Sequence, residues 1–205
     1  MKAYDIVEQF ENRVAEHFGK QHGVAVDCCT HAIFLSLKYR QHCDYTYEYA
    51  AIPARTYISV PFALMQAGIT PCFHDQPWHV IGYYDIYPWD IVDAAKAWNR
   101  KLPFDALTLH CISFHAKKHI PIGRGGMIVT DDSTAADWLR RARYDGRVGV
   151  HYPNERIREM GWHMYMTPEQ AARGMHLMDL WPNGVNVQPE DYPDLRDMPV
   201  FKGRV

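Results

Sequence analysis

The amino-acid sequence predicts an α/β domain with a mostly parallel central sheet flanked by helices. Short apolar runs of strand length alternate with stretches in which apolar residues recur at helical spacing. The chain has 205 residues, of which 47% are hydrophobic and 22% charged. That length and composition are typical of one domain with a substantial core. Alternation of this kind builds a parallel sheet on which helices pack.

The first part of the chain alternates a helix, a strand and a second helix. Apolar residues at helical spacing predict a helix over residues 4–18, which ends at Gly19. A short apolar run at 24–26 predicts a buried strand, and a second helical pattern follows over 32–37. The polar and aromatic stretch 40–50 has no clear period, which predicts a surface loop.

The middle of the chain carries short strands. A third helical pattern around residues 62–65 ends at Gly68, a typical C-terminal cap. The remaining strand candidates in this part are Pro71–Asp75, His79–Tyr83, and Ile91–Val92, which ends at Asp93.

The last part of the chain contains the clearest helix start. Two apolar runs, 107–112 and 127–130, predict strands, and residues 132–143 predict a helix opened by Asp131, Asp132 or Ser133. Thr167-Pro-Glu-Gln170 then combines an N-cap threonine, a proline at the first helical position and a glutamine at the third. This is a capping box, and it predicts a helix that runs to Leu180. The sequence thus predicts one domain over 1–180 and an extended, proline-rich arm over 181–205.

Composition argues against several classes of function. A formal net charge of −2 gives no general attraction to nucleic acid or to an anionic membrane. No apolar run is long enough to span a bilayer, and the N-terminus has no signal-peptide pattern. Five irregularly placed cysteines favour reduced thiols and a cytoplasmic location. The 12 histidines include no His-Glu-x-x-His spacing, so no metal site is expected.

The segment Cys111–Gly126 is the strongest indication of function. An apolar run ends in Ser113, and a basic cluster containing Lys117 and Lys118 precedes a glycine-rich turn. A hydroxyl, a lysine and flexible backbone at a strand end suit a phosphorylated ligand held beside a reactive amine. The alternative is a solvated basic loop.

Two more polar clusters follow predicted strands, Asp27–Thr30 and Asp93–Lys96. Ligands bind outside the carboxyl ends of strands in such sheets, so these clusters are expected to meet Ser113–Lys118 in one crevice. Each has a structural alternative, because Asp93 and Thr30 are both common helix-capping residues. The aromatic residue Tyr57 is a candidate either for a cofactor site or for the core.

Taken in order, these segments resemble the DegT/StrS-type sugar aminotransferases, a branch of the fold-type I enzymes that use pyridoxal 5'-phosphate (PLP). The resemblance spans about residues 5–180. The matching motifs are Phe10-Glu11, Gly19–Val26, Cys28-Cys29-Thr30, Pro53–Tyr57, Ala67–Asp75, Val92–Ala95, Ser113–Lys118, Gly123–Gly126, Leu139–Arg147 and Gly161–Ala172. It implies a PLP-transferase-like major domain, reduced in size.

The resemblance also implies a role for each matched site residue. Lys118, five residues after Ser113, would form the Schiff base with PLP, and Asp93 would keep the pyridine nitrogen protonated. The expected set is completed by Thr30, Cys29 and Ser113 at the phosphate, Tyr57 stacked on the ring, and His163 contributed by a partner subunit. The implied reaction moves an amino group from an amino acid donor to a nucleotide-linked keto sugar, in a homodimer.

The chain departs from the family pattern at several places. Only 17 residues, 76–92, separate Asp75 from Asp93, where relatives carry roughly a whole βα unit. Relatives continue into a small C-terminal domain, and residues 181–205 are not expected to form one. The substitutions at site positions are Cys29 for glycine, Lys96 for His or Gln, His163 for Asn, and Tyr165 for Arg. The alternative function is therefore a reduced, non-catalytic homologue that binds PLP or another phosphorylated ligand.

Overall fold

The computed structural model describes residues 4–76, 82–99, 102, 106–149, 152–186 and 191–202. Five α-helices and seven β-strands lie within these ranges. The helices are α1 (Asp5–His17), α2 (Cys29–His42), α3 (Ser59–Gln66), α4 (Ser133–Ala142) and α5 (Pro168–Leu180). The strands are β1 (His22–Val26), β2 (Tyr49–Pro53), β3 (Thr70–His74), β4 (Tyr84–Ile86), β5 (Ile91–Asp93), β6 (Leu109–Ser113) and β7 (Gly126–Thr130).

The strands form one sheet in the order β1-β7-β6-β5-β4 and a second sheet of β2 and β3. An isolated β-bridge between Ala51 and Tyr87 joins the two sheets. Its two backbone N–H···O distances are 2.8 and 3.3 Å. The α/β class is confirmed, and the central sheet lies between helices that pack on both of its faces.

The expected predominance of parallel pairs in the central sheet is wrong. Among the strands of the described residues, only β5 and β6 pair in parallel there, whereas β1–β7, β6–β7 and β4–β5 are antiparallel. The reason lies in the connections, because a parallel pair requires a crossover. Residues 114–125 join β6 to β7 without a helix, and residues 87–90 join β4 to β5. In both connections the chain reverses direction, so the two strands run antiparallel.

Side-chain alternation along the central strands divides the core into two parts. Ile128 of β7 faces a cluster with α2, α3 and α4, whereas Met127 and Val129 face a cluster with α1 and α5. Successive side chains of a strand point to opposite faces, so both faces of the sheet are buried. The central strands are therefore covered by side chains and helices on both faces of the sheet.

Most element boundaries agree with the sequence pattern. α1 ends just before Gly19, whose φ is +65°, and Asp132 caps α4 by accepting a hydrogen bond from the Ala135 N–H at 3.0 Å. The loop expected over 40–50 is wrong at both ends, since α2 continues to His42 and β2 begins at Tyr49. The strand expected over His79–Tyr83 lies partly outside the described residues, and the observed strand begins at Tyr84.

The C-terminal arm, where it is described, packs against the domain. Leu195 and Phe201 are almost completely buried, and the Leu195 N–H donates to the Ala54 carbonyl at 3.0 Å. The Phe201 ring contacts Phe62 and Phe73. Two short 3₁₀ helices occupy this stretch, so residues 191–202 are more structured than the extended arm that the prolines predict.

Candidate functional site

A cavity of about 420 Å³ opens at the ends of β5 and β6 and at the start of α2. Its volume lies in the range of small-molecule sites. Six of the seven predicted site residues line it: Cys29, Thr30, Tyr57, Asp93, Ser113 and Lys118. The three polar clusters that the sequence places at strand ends therefore meet in one crevice.

The two adjacent lysines of the β6–β7 connection lie in different environments. Lys118 is only 8% exposed, whereas Lys117 is exposed. The chain makes a turn at Lys118, whose backbone N–H donates to the His115 carbonyl at 2.8 Å. The connection is held further by a hydrogen bond from the Ala116 N–H to the Gly123 carbonyl at 3.1 Å. The solvated-loop alternative therefore fits Lys117 and does not fit Lys118.

The Asp93 carboxylate ends β5 and is 5% exposed. Its Oδ2 accepts a hydrogen bond from the Tyr84 hydroxyl at 2.8 Å, and its Oδ1 accepts one from the Ala95 N–H at 3.0 Å. Burial raises the pKa of Asp93, an effect opposed by these two hydrogen bonds and by the positive charge of Lys118. No α-helix begins at Asp93 in the described chain, so the helix-capping alternative does not apply.

The start of α2 forms one wall of the cavity. Cys28 occupies the N-cap position, and within the described chain its side chain accepts no hydrogen bond from the first turn. Backbone N–H groups at a helix start bind anions readily, especially without a side-chain cap. Thr30 lies inside the helix and not at its cap, and its Oγ1 is 2.7 Å from Ser59 Oγ. Ser59 also lines the cavity.

Gly126 determines how closely this helix start approaches the sheet. A Cβ placed on Gly126 would lie 2.4 Å from the Cys28 carbonyl carbon and 2.6 Å from the Cys29 nitrogen. A Cβ does not approach non-bonded atoms this closely, so only glycine fits at this position while β7 and α2 keep their positions. The glycine of the Gly123–Gly126 motif thus holds the cavity wall against the sheet.

Tyr57 lies at the mouth of the cavity. It is 56% exposed, so it is not a core aromatic. Its ring centroid is 6.2 Å from that of Tyr192, a residue of the C-terminal arm that also lines the cavity. The ammonium of Lys96 lies 5.5 Å from the Tyr192 ring centroid, a cation–π contact.

Asp27 links His31 to Arg124, and Arg124 lines the cavity. Its Oδ1 is 2.5 Å from His31 Nδ1, and its Oδ2 accepts a hydrogen bond from Arg124 at 2.6 Å. The hydrogen bond to Asp27 is the main cause that raises the pKa of His31 to about 9. Asp27, Cys28 and His31 also bring three possible metal-ligand atoms within 4.8 Å of one another, a grouping that the sequence spacing does not indicate.

His163 does not lie at this cavity in the described chain. Its Nδ1 is 2.9 Å from Asp145 Oδ2, its side chain is exposed, and its ring contacts Tyr165. A role for His163 at the cavity of a second subunit stays a prediction.

Comparison with known proteins identifies the family. The sequence profile of the DegT/DnrJ/EryC1/StrS aminotransferase family matches residues 1–79 and 93–185. The chain belongs to this family. The interruption at 80–92 falls in the interval where the sequence predicts a reduced βα unit, and there the structure has β4, a short connection and the first residues of β5.

A curated relative is the spore coat polysaccharide biosynthesis protein SpsC of Bacillus subtilis (strain 168). It is 26% identical to this chain, in an alignment that covers 83% of this chain and 55% of SpsC. Among solved structures, Helicobacter pylori PseC, an aminotransferase involved in pseudoaminic acid biosynthesis, has a TM-score of 0.71 at 18% identity. The match covers 86% of this chain and 58% of PseC.

The sugar aminotransferase CalS13 from Micromonospora echinospora gives the same TM-score of 0.71 at 19% identity, over 85% of this chain and 60% of CalS13. At these identities the likeness establishes the fold, which is that of the PLP-dependent aminotransferases. The chain spans 55 to 60% of the length of these relatives. The described residues include no helix with the length and apolar character that crossing a membrane requires.

Sequence reasoning missed several cavity residues. The cavity is also lined by Ser59, Thr56, Arg124 and Tyr192. The Tyr84 hydroxyl donates a hydrogen bond to Asp93. Arg124 stands within the glycine-rich motif and could have been noted there. Ser59, Tyr84 and Tyr192 belong to no motif, and only the folded chain brings them to the site.

Proposed function

We propose that this chain is a PLP-dependent sugar aminotransferase, in which Lys118 is the amine that bonds the cofactor. The observation that carries the proposal is the pairing of a buried lysine with a buried aspartate in one cavity, beside an uncapped helix start. Family membership and the PLP-dependent aminotransferase fold support the same function. The reaction would move an amino group from an amino acid to a keto sugar.

The residues of the cavity fit PLP by the chemistry of their donors. Asp93 offers a carboxylate to a protonated ring nitrogen, and the start of α2 with Thr30 and Ser113 offers N–H and hydroxyl donors to a phosphate. Tyr57 offers an aromatic face at the mouth. When bound, PLP supplies an electron sink for negative charge at the reacting carbon.

The chain's own groups would then serve binding and proton transfer. Asp93, fixed by Tyr84 and the Ala95 N–H, holds its charge in one orientation. Lys118 is only 8% exposed, and its amine would take up and return a proton during the reaction. The role of the amine requires a buried lysine, and Lys118 is buried whereas Lys117 is exposed.

We further propose that the working form is a homodimer in which His163 reaches the cavity of the partner subunit. A surface stretch close to His163 in sequence supports this, because Val148, Ile157 and Met160 are 64%, 49% and 71% exposed. Exposed apolar side chains that form one patch are typical of interaction surfaces, and the proposal requires these three to form such a patch. The proposed location is the cytoplasm, with small-molecule substrates.

Reductive trapping tests the role of Lys118. Purified protein is mixed with PLP, reduced with borohydride and digested, and we expect the PLP mass on the peptide that carries Lys118. Lys118→Ala should abolish the adduct, whereas Lys117→Ala, the matched control one residue away, should retain it. An adduct that persists in Lys118→Ala would overturn the proposal.

A second step separates turnover from binding. Wild-type protein that has bound PLP is mixed with an amino donor such as glutamate, and conversion to pyridoxamine phosphate is followed by absorbance. Conversion supports the aminotransferase. Trapping at Lys118 without conversion by any amino acid donor would instead support the non-catalytic homologue that binds PLP.

A further inference from the structure

The interval that the family profile skips contains a residue that touches the proposed site. β4 lies at the end of the central sheet and pairs antiparallel with β5, with Tyr84 directly opposite Asp93. Tyr84 is 1% exposed although its strand is the last of that sheet. Both residues are therefore buried on neighbouring strands, one inside the family match and one outside it.

A chain of hydroxyl groups ends at the aspartate. Tyr84 Oη lies 2.8 Å from Asp93 Oδ2 and 2.7 Å from Thr56 Oγ1. An ionised carboxylate can only accept hydrogen bonds, so the phenol proton points to Asp93. The phenol oxygen then accepts from the Thr56 hydroxyl. The direction of the chain is fixed as Thr56 to Tyr84 to Asp93.

The hydroxyl chain matters because Asp93 is deeply buried. Burial disfavours the charged carboxylate, and hydrogen bonds to the charged form favour it. Oδ1 is satisfied by the Ala95 N–H, and Tyr84 is the side chain that donates to Oδ2 among the contacts in the described residues. Charge-assisted hydrogen bonds of this kind are about twice as strong as neutral ones.

We propose that Tyr84 is a positioning residue for PLP binding, which fixes the Asp93 carboxylate that pairs with the ring nitrogen, and that Thr56 fixes Tyr84. The inference rests on the proposed function and extends it to a segment that the family profile does not match. β4 thus supplies a support for the cofactor site, in addition to closing the edge of the sheet. Tyr84 acts through Asp93 and is not itself a catalytic residue.

Three variants test this inference. Tyr84→Phe removes the hydroxyl and keeps the ring, and Thr56→Val removes the hydroxyl that holds it. The control is Tyr45→Phe, since the Tyr45 hydroxyl donates to Asp90 Oδ2 at 2.6 Å in a solvent-exposed hydrogen bond, and neither residue lines the cavity. The measurements are the PLP dissociation constant by absorbance titration across pH, with urea unfolding to verify folding.

We expect Tyr84→Phe to weaken PLP binding about 10-fold or more, the loss typical of a hydrogen bond to a charged group. The acid limb of the binding profile should move to higher pH, because Asp93 loses a donor that favours its charged form. Thr56→Val should shift both quantities in the same direction by less, and Tyr45→Phe should shift neither.

Two results would overturn the inference, and they are distinguishable. If wild-type protein traps PLP at Lys118 but a folded Tyr84→Phe binds it with the same affinity and pH profile, Tyr84 is only structural and the proposed function stands. If Tyr84→Phe does not fold, an unchanged profile in Thr56→Val has the same meaning. If wild-type protein traps no PLP, the proposed function fails and this inference fails with it.

Discussion

At the scale of single residues, Asp27 joins the start of α2 to the glycine-rich turn before β7. It accepts hydrogen bonds from His31 in the first helical turn and from Arg124 in the turn. These contacts lower the pKa of Asp27, although burial acts in the opposite direction. The pair with His31 is partly buried, so it is screened less than an ordinary surface pair.

The His31–Asp27 pair predicts a pH-dependent contribution to stability. The folded pKa of His31, about 9, lies above its ordinary value of 6.5, so the folded state binds the proton more tightly. The contribution is complete below about pH 6.5 and is lost as pH rises through 9. We expect His31→Gln to reduce the free energy of unfolding by about 1–3 kcal/mol near pH 6 and by much less near pH 10.

Urea unfolding at both pH values measures this effect. The control is His42→Gln at the other, exposed end of the same helix, which corrects for the loss of a helical histidine. A loss in His31→Gln that is equal at pH 6 and pH 10, after this correction, would contradict the prediction.

At the scale of secondary-structure elements, the best-defined helix start is that of α5. The Gln170 N–H donates to Thr167 Oγ1 at 3.4 Å, and Gln170 Oε1 accepts from the Thr167 N–H at 2.8 Å. Both bonds of the capping box are present, with Pro168 at the first helical position. α5 packs on α1, where Gly174 lies against the Phe10 ring.

Removal of the cap should therefore affect the whole domain. We expect Thr167→Ala to lower the free energy of unfolding by about 1 kcal/mol, because the first turn loses its side-chain acceptor. Thr167→Ser keeps the hydroxyl and should retain most of the stability. Equal denaturation midpoints for Thr167→Ala and wild type would show that the cap contributes nothing.

The sequence predicts helices better than it predicts sheet pairing, for a physical reason. Helical periodicity and caps are local, so α1, α4 and α5 could be placed within one or two residues. The direction of a strand relative to its neighbour depends on the connection between them, and the turn-back at 114–125 left no periodic signal. The sequence does not predict β2, because Tyr49–Pro53 has no alternation of apolar and polar residues.

The site was predictable where motifs carry it. Asp93, Ser113 and Lys118 stand in polar clusters that follow predicted strands, and the resemblance to the aminotransferase family selects Lys118 over Lys117. The structure brings the three residues to one cavity, although their roles remain predictions. Tyr84 was not predictable, because a buried tyrosine beside an aspartate requires knowledge of strand register. The location of His163 away from the cavity likewise follows only from the folded chain.

At the scale of the whole molecule, the proposed homodimer predicts that two defective chains complement each other. Lys118→Ala removes the amine of its own cavity, and His163→Ala would remove a donor from the cavity of its partner. A mixed dimer then has one cavity with both groups intact. After random mixing, about a quarter of all cavities should be intact, because half of the dimers are mixed and half of their sites are restored.

Trapping at low PLP concentration measures this complementation without relying on turnover. The two variants are denatured together, refolded, and compared with each variant refolded alone. Adduct in the mixture above the mean of the two separate samples supports the shared site. An adduct equal to that mean, with dimers verified by sedimentation, would exclude His163 from the partner's cavity.

The contact at Gly126 has a consequence for how firmly the α2 start is held. Because the backbone of Gly126 contacts the backbone of Cys28 and Cys29 directly, the spacing between β7 and α2 does not depend on the rotamer of any side chain. A side-chain contact at this point would lose conformational entropy on folding, whereas a contact between two backbones has no rotamers to lose. The N–H groups of the first turn are thus held in position by atoms that the fold has already fixed.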